Sequence, residues 1–395
     1  MLLIEFFDEN CIENIACALQ YVPEQVVLIG HSTGRLARAR DAYRALCLRR
    51  GLDIEFTCRS VDPSDLSAIV TLLATVVESS EQCVLELTGG GDLYLVAAGV
   101  IAHRYQHRVR LSRMNLREGK IARMLPDGVV SADMHVALTV EENICIYGGK
   151  LSGEQPDARD WKLDEDFCKD VGKLWSLCRR MSDWNQRISQ LGRIQAHFAE
   201  PVVERASIED CLPLLEALAK EGLIRALSVT DSTLTFTYKN EQVRRALSKA
   251  GQVLELWLAV NMQGMRDENG PVFDDIRVGA LLDWDGMTAP EGAADVGNEI
   301  DVLAMKGPLP LFISCKNGKV ETEELYKLSQ VADRFGGAYA SKALVVRKLE
   351  GSGKAISHLA ARAKDMGIAL LELERLGEEQ VLKIIKERNL WKRTI

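Results

Sequence analysis

The sequence is short of several features, and each shortage closes off a class of protein. No stretch approaches the roughly 18 to 20 uncharged apolar residues that a membrane-spanning helix needs. The N-terminus, MLLIEFFDEN, lacks the basic flank and long apolar run of a secretory signal. The ten cysteines never form a C-x-x-C pair, and several lie inside apolar runs, where a thiol behaves as a small hydrophobe. A structural zinc site is therefore not expected, and a reducing cytoplasm is the expected setting. Nor is there a basic excess. Fifty-seven acids against 49 bases leave a net charge of −8, which argues against a chain that coats nucleic acid over its whole surface.

What is present is an ordinary globular composition: 395 residues, 47% hydrophobic and 27% charged, a length that suits two or three domains. Positive charge is local. Residues 101–125 carry seven Lys/Arg and one acid, and residues 341–395 carry twelve bases and seven acids. Each block reads either as a solvated helix face or as a surface for phosphate.

Residues 1–150 alternate short apolar runs (LLIEFF, QVVLIG, IEFTCRSV, CVLELT) with amphipathic stretches, the pattern of a parallel sheet covered by helices. A doubly wound, Rossmann-like α/β domain is expected there, and no repeat of solenoid period competes. Glycine, proline and charge cluster in YGGKLSGEQPD (147–157), which marks a boundary. Residues 151–243 begin with a long helical pattern, DFCKDVGKLWSLCRRMSDWNQRISQLGRI, and end on the alternating SVTDSTLTFTYKN. They read as a small winged-helix-like linking module or as a plain helical connector. From 244 to 395 a third unit is again α/β. It starts with one helix over VRRALSKAGQVLELWLAVNM, followed by a hairpin that feeds a mixed sheet.

The chemistry gathers in NEIDVLAMKGPLPLFISCK (298–316). Side chains alternate along a strand, so Glu299 and Asp301 share one face, as do Ser314 and Lys316. Folding the hairpin about Gly307 and Pro308 brings Asp301 opposite 314–316. Glu255, in VLELWLAV, is an acid among Leu254, Leu256 and Trp257 and needs a partner or a metal ion. Carboxylates converging with a lysine are what metal-assisted phosphodiester hydrolysis requires; a cross-strand ion pair is the plainer alternative.

This segment resembles the core of the PD-(D/E)xK restriction-endonuclease-like nucleases. The resemblance makes Asp301 the motif aspartate, Lys316 the motif lysine and Glu255 the acid on the preceding helix. It implies Mg²⁺ or Mn²⁺ held by Asp301, Glu255 and the Cys315 carbonyl. One position departs from the pattern: Ser314 stands two before the lysine, where the family has an acid, leaving Glu299 or Glu324 to compensate.

In the first domain, LELTGGGDLYLVAAG sets Thr88, Gly89, Gly90, Gly91 and Asp92 between a strand and a helix, where backbone N–H groups suit a phosphate. It does not match G-x-G-x-x-G. The first strand ends in FFDENCIEN, which places Asp8, Asn10 and Asn14 near the same sheet edge. Followed by a nuclease core, this arrangement resembles the CRISPR-associated Rossmann fold (CARF) effectors over essentially the whole chain. The resemblance implies a homodimer that binds a cyclic oligoadenylate, most often cyclic tetraadenylate, and then cleaves single-stranded DNA or RNA or nicks duplex DNA. The ligand residues it carries over are Asp8, Asn10, Asn14 and the 88–92 loop, with Ser32 and Thr33 after the second strand.

Two other readings belong to different classes. GHSTG (30–34) follows a strand, precedes a helix and fits the G-x-S-x-G nucleophile elbow of a serine hydrolase, with Ser32 as nucleophile. A ligand-sensing transcription regulator would use the Rossmann half as sensor and the middle module to read DNA, without cleavage.

Overall fold

The computed structural model describes residues 1–7, 10–125, 127–151, 161–191, 208–230, 234–286 and 297–387. The first sheet is built from β1 (Leu2–Phe6), β2 (Gln25–Gly30), β3 (Glu55–Ser60), β4 (Cys83–Glu86), β5 (Val109–Asn115), β6 (Lys120–Leu125) and β7 (Gly128–Asp133). Its order is β3-β2-β1-β4-β5-β6-β7; the first five strands are parallel and the last two antiparallel. α1 (Cys11–Tyr21) and α2 (Thr33–Arg49) cover one face, and α3 (Leu66–Glu78) and α4 (Asp92–Arg104) the other. β1 is central and buried throughout, so it reads as a nearly unbroken apolar run. Its exception is Glu5.

α5 (Val140–Ile146) opens on a capping box, with Thr139 and Glu142 each accepting a backbone N–H of the other. It leads to β8 (Lys150–Leu151), which belongs to the second sheet. Then come α6 (Glu165–Arg180), α7 (Trp184–Leu191), α8 (Ile208–Lys220), the hairpin β9 (Ile224–Val229) and β10 (Leu234–Tyr238), and α9 (Glu241–Ala246). α6 is amphipathic, burying Phe167, Val171, Leu174, Trp175 and Cys178 along one face. Trp175 stacks on Trp257, ring centroids 4.8 Å apart, which clamps the middle segment to the C-terminal unit.

That unit holds α10 (Gln252–Gly264), the short pair β11 (Arg266–Asp267) and β12 (Gly270–Pro271), then β13 (Asp275–Asp283), β14 (Gly297–Lys306) and β15 (Leu309–Lys316). It continues with α11 (Thr322–Gly336), β16 (Ser341–Val346), α12 (Gly353–Asp365), β17 (Ile368–Glu372), α13 (Leu373–Leu376) and α14 (Glu378–Lys386). The sheet order is β17-β16-β15-β14-β13-β8, parallel through β15 and antiparallel beyond it. One apolar cluster runs from Leu3 to Ile385 through both units; among the described residues, only the α3/α4 face of the first sheet has a separate core. The α/β class, the Rossmann-like first domain and the hairpin-fed mixed sheet are as the sequence led one to expect. Among the described residues no helix is long and apolar enough to cross a membrane.

Three local expectations are corrected. The helix expected over VRRALSKAGQVLELWLAVNM is two, α9 and α10. Ser248 turns its hydroxyl onto the Arg245 carbonyl at 2.7 Å, and Gly251 becomes the N-cap of the next helix. The long helix after Asp166 breaks at Met181, whose backbone is extended (φ −100°, ψ 111°). The break lets Trp184 drop into the core and donate its indole N–H to the Ala250 carbonyl at 3.3 Å. The basic block 101–125 is mostly the strands β5 and β6, with only its first residues helical, so it is not a helix face.

Candidate functional site

β14 and β15 pair from Lys306↔Leu309 to Val302↔Ile313 around Gly307, which adopts a φ of +58°. Just past the last pair, Asp301 turns its carboxylate onto β15. Its Oδ2 accepts the Cys315 N–H at 2.6 Å and the Ser314 hydroxyl at 3.0 Å. Ser314, standing where the motif has an acid, therefore orients the aspartate. Lys316 pairs its Nζ with Glu324 Oε2 at 2.9 Å, in the first turn of α11. Glu255, buried on α10, accepts from Gln252 Nε2 at 2.7 Å, and Glu299 pairs with Lys249 at 3.5 Å.

Electrostatics tie these groups together. Burial, then the charges of Asp301 and Glu299, push the Glu255 carboxyl up to about 8. Burial also raises Asp301, against the Cys315 N–H, Lys316 and the Ser314 hydroxyl, which favour its ionised form. Burial pulls Lys316 down, but the hydrogen bond to Glu324 and the charge of Asp301 outweigh it, and it titrates above its ordinary value. Burial pushes the Cys315 thiol far up, so its side chain is an inert neutral group at this site. Two buried carboxyl groups, both raised by burial and one further raised by the other's charge, are a donor pair that suits a hard cation. Among the described residues, no three His, Cys, Asp or Glu side chains are spaced to enclose a metal by themselves, so backbone and water would have to complete a shell.

Sequence reasoning missed the support from the middle segment. Asn185 on α7 donates to the Asn317 carbonyl, and Asn317 Nδ2 donates back to Asn185 Oδ1 at 3.0 Å. This pair pins the strand end that carries Lys316.

The first domain carries a cavity of about 390 Å³ at the C-terminal edge of its parallel strands. Ser32, Gly90, Gly91 and Asp92 line it, together with His31, Arg35, Phe7 and Tyr94. Gly90 sits at φ +88°, and a Cβ there would lie 2.7 Å from Phe6 Cβ, so only glycine lets the loop lie flat on β1. Arg35 and His31 were not singled out in the sequence. Arg35 is the third residue of α2, and the cap that marks Ser32 already implies that this first turn faces the strand ends.

Other expected ligand residues point elsewhere. Asn14 is buried and donates to the Phe6 carbonyl at 3.2 Å. Thr88 turns inward, its hydroxyl on the buried Glu86 carboxylate. Asn10 accepts the Ala338 N–H at 3.3 Å, facing the C-terminal unit. Gly89 packs on Phe6, and Thr33 is the first residue of α2; neither is among the cavity's lining residues. Asp8 lies outside the described residues. Ser32 caps α2, accepting the Arg35 N–H at 3.4 Å from an extended backbone (φ −97°, ψ 103°), which is not the strained turn of a nucleophile elbow.

No family model and no curated protein matches this chain. Solved structures do. Protein VC1899 from Vibrio cholerae superposes with a TM-score of 0.76 at 18% identity, covering 98% of each chain. Can2 from Sulfobacillus thermosulfidooxidans, solved in complex with cyclic tetra-adenylate, gives 0.66 at 16% identity over 98% of this chain and 97% of its own. A type III CRISPR defence DNA nuclease activated by cyclic oligoadenylate gives 0.52 at 17% identity, over 89% of this chain and 46% of its own. Over nearly its whole length, the chain has the fold of VC1899 and Can2, with a Rossmann-like domain at one end and a mixed α/β unit at the other.

Proposed function

We propose that this chain is a type III CRISPR accessory endonuclease, in which a cyclic oligoadenylate held in the N-terminal cavity switches on metal-dependent phosphodiester cleavage at Asp301, Glu255 and Lys316. The observation that carries the reading is that one chain, folded like Can2, has a cavity with Arg35, Ser32 and Asp92 in a mostly apolar wall at one sheet edge and an acid–acid–lysine group at another. On this reading residues 1–150 sense the ligand, 151–243 link, and 244–395 cut.

Asp301, Glu255 and the Cys315 carbonyl would hold one Mg²⁺ or Mn²⁺. When bound, such a cation supplies Lewis acidity to the phosphoryl group and a more acidic water. The chain's own residues do the rest. Ser314 and the Cys315 N–H favour the ionised form of Asp301 and aim it. Lys316 brings a fixed positive charge beside the scissile phosphate, where negative charge grows in the transition state. Contacts of this kind are to phosphates rather than bases, which suits single-stranded DNA or RNA or a nicked duplex.

In the cavity, Arg35 and the backbone of 90–91 would meet a phosphate. A homodimer fits as well. α4 leaves Leu95, Val96 and Val100 exposed around Gly99, and the helix starts at the cavity. Pairing two copies there would bring two cavities toward one axis, matching a cyclic ligand that has symmetry of its own.

The test is cleavage of single-stranded RNA, single-stranded DNA and plasmid with Mn²⁺, with and without cyclic tetraadenylate. Stimulated cutting is expected. Cutting that is as fast without the ligand as with it defeats the switch, and duplex binding without any cutting favours the regulator.

A further inference from the structure

A short run of contacts connects the cavity loop to the acid–lysine group, and neither site needs it for its own chemistry. Gly89 continues the cavity loop inward over the Phe6 carbonyl, and Glu13 Oε2 is 3.5 Å from where its Cβ would stand. Glu13 is buried on α1, and its Oε1 accepts the Tyr339 hydroxyl at 2.5 Å. Tyr339 ends the turn 337–339 that follows α11. The same turn is keyed to the first domain twice more: Arg117 Nη2 donates to the Ala338 carbonyl at 2.5 Å, and the Ala338 N–H donates to Asn10. At the end of α11 itself, Asn143 donates to the Phe335 carbonyl at 2.7 Å. The other end of α11 carries Glu324, which holds Lys316.

We infer that the Glu13–Tyr339 hydrogen bond, with α11 behind it, is the link through which occupancy of the N-terminal cavity sets the position of Lys316. The inference rests on the activation reading above and names its route. A 15-residue helix is a stiff rod of about 22 Å, so a shift imposed on its C-terminal end reaches Glu324 with little loss. The loop that meets the ligand cannot move toward β1, because Gly90 is already seated on Phe6. A displacement of the loop at Gly89 would press on or withdraw from Glu13, the side chain beside it. A hydroxyl bonded to a buried carboxyl group resists that strongly, since breaking it leaves buried polar atoms without a partner.

Tyr339→Phe removes only the hydroxyl and keeps the ring that Arg117 covers at 5.4 Å. Cleavage in Mn²⁺ would be measured with and without cyclic tetraadenylate, beside ligand affinity by calorimetry. The expected result is unchanged unstimulated cleavage, affinity within about threefold of wild type, and stimulation reduced by about tenfold, the cost of leaving one buried acceptor without its donor. A variant stimulated as well as a stimulated wild type overturns the link alone. A wild type that ignores the ligand overturns the activation reading, and the link with it. Should Tyr339→Phe neither bind nor cut, Glu13→Gln tests the same bond from its other side: reduced stimulation supports the link, and full stimulation overturns it.

Discussion

Lys316 gives its ammonium to Glu324 across 2.9 Å, so the motif lysine is anchored to an acid on the following helix. Glu324 titrates below the ordinary carboxylate range: burial works against it, but Lys316 and Lys327 outweigh that. A lysine so anchored stays charged and stays put. Lys316→Ala should reduce stimulated cleavage by about 100-fold and Asp301→Ala by at least as much, with ligand binding retained. Glu324→Ala, which frees the lysine without removing it, should cost about three- to tenfold. Initial rates on a labelled oligonucleotide check all three, and normal cutting by Lys316→Ala would place the chemistry elsewhere.

The raised Glu255 carboxyl has a consequence for stability. A folded-state value above the ordinary carboxylate range means the group's contribution is complete at low pH and is lost as pH rises toward about 8. Metal-free protein should therefore show a falling Tm over that window. Glu255→Gln should flatten the fall, and Mn²⁺ should raise Tm more at its upper end than at its lower end. Melting curves at several pH values, with chelator or Mn²⁺, decide it.

Glu5 and Glu86 stand side by side on β1 and β4, both buried. Burial and then the charge of Glu86 push Glu5 well up. By the same sign, Glu5 weakens the first domain as pH rises above the ordinary carboxylate range. Glu5→Gln should raise Tm by at least about 2 °C at pH 8 and by little at pH 5. An equal gain at both pH values would show that charge is not the cause.

In the cavity, Arg35→Ala should weaken cyclic tetraadenylate binding by about 10- to 100-fold and reduce its salt dependence, while unstimulated cleavage persists. Gly90→Val should abolish binding, because a side chain at φ +88° meets Phe6. Calorimetry at two salt concentrations measures both. Tight binding by either variant would move the ligand out of this cavity.

The acid–lysine group was legible because its determinants are local. Period-two alternation and a Gly-Pro turn set the β14–β15 register, and with it Asp301 against Ser314 and Cys315. The same holds for the parallel sheet of the first domain, whose apolar runs announce themselves. The helix break at 247–251 was less legible, because a periodic pattern does not reveal a serine that competes for a helical carbonyl.

The amino-acid sequence by itself determined the α/β architecture, the hairpin and the clustering of chemistry at its end, since strand alternation and turn residues act over a few neighbours. Only the tertiary structure decided which side of α1 faces what. Asn10 looks like a ligand residue from its place after a strand, yet it meets Ala338, and its neighbour Glu13 meets Tyr339, each more than 300 positions away. Such pairings depend on how two sheets share one apolar core, and short-range periodicity does not encode that.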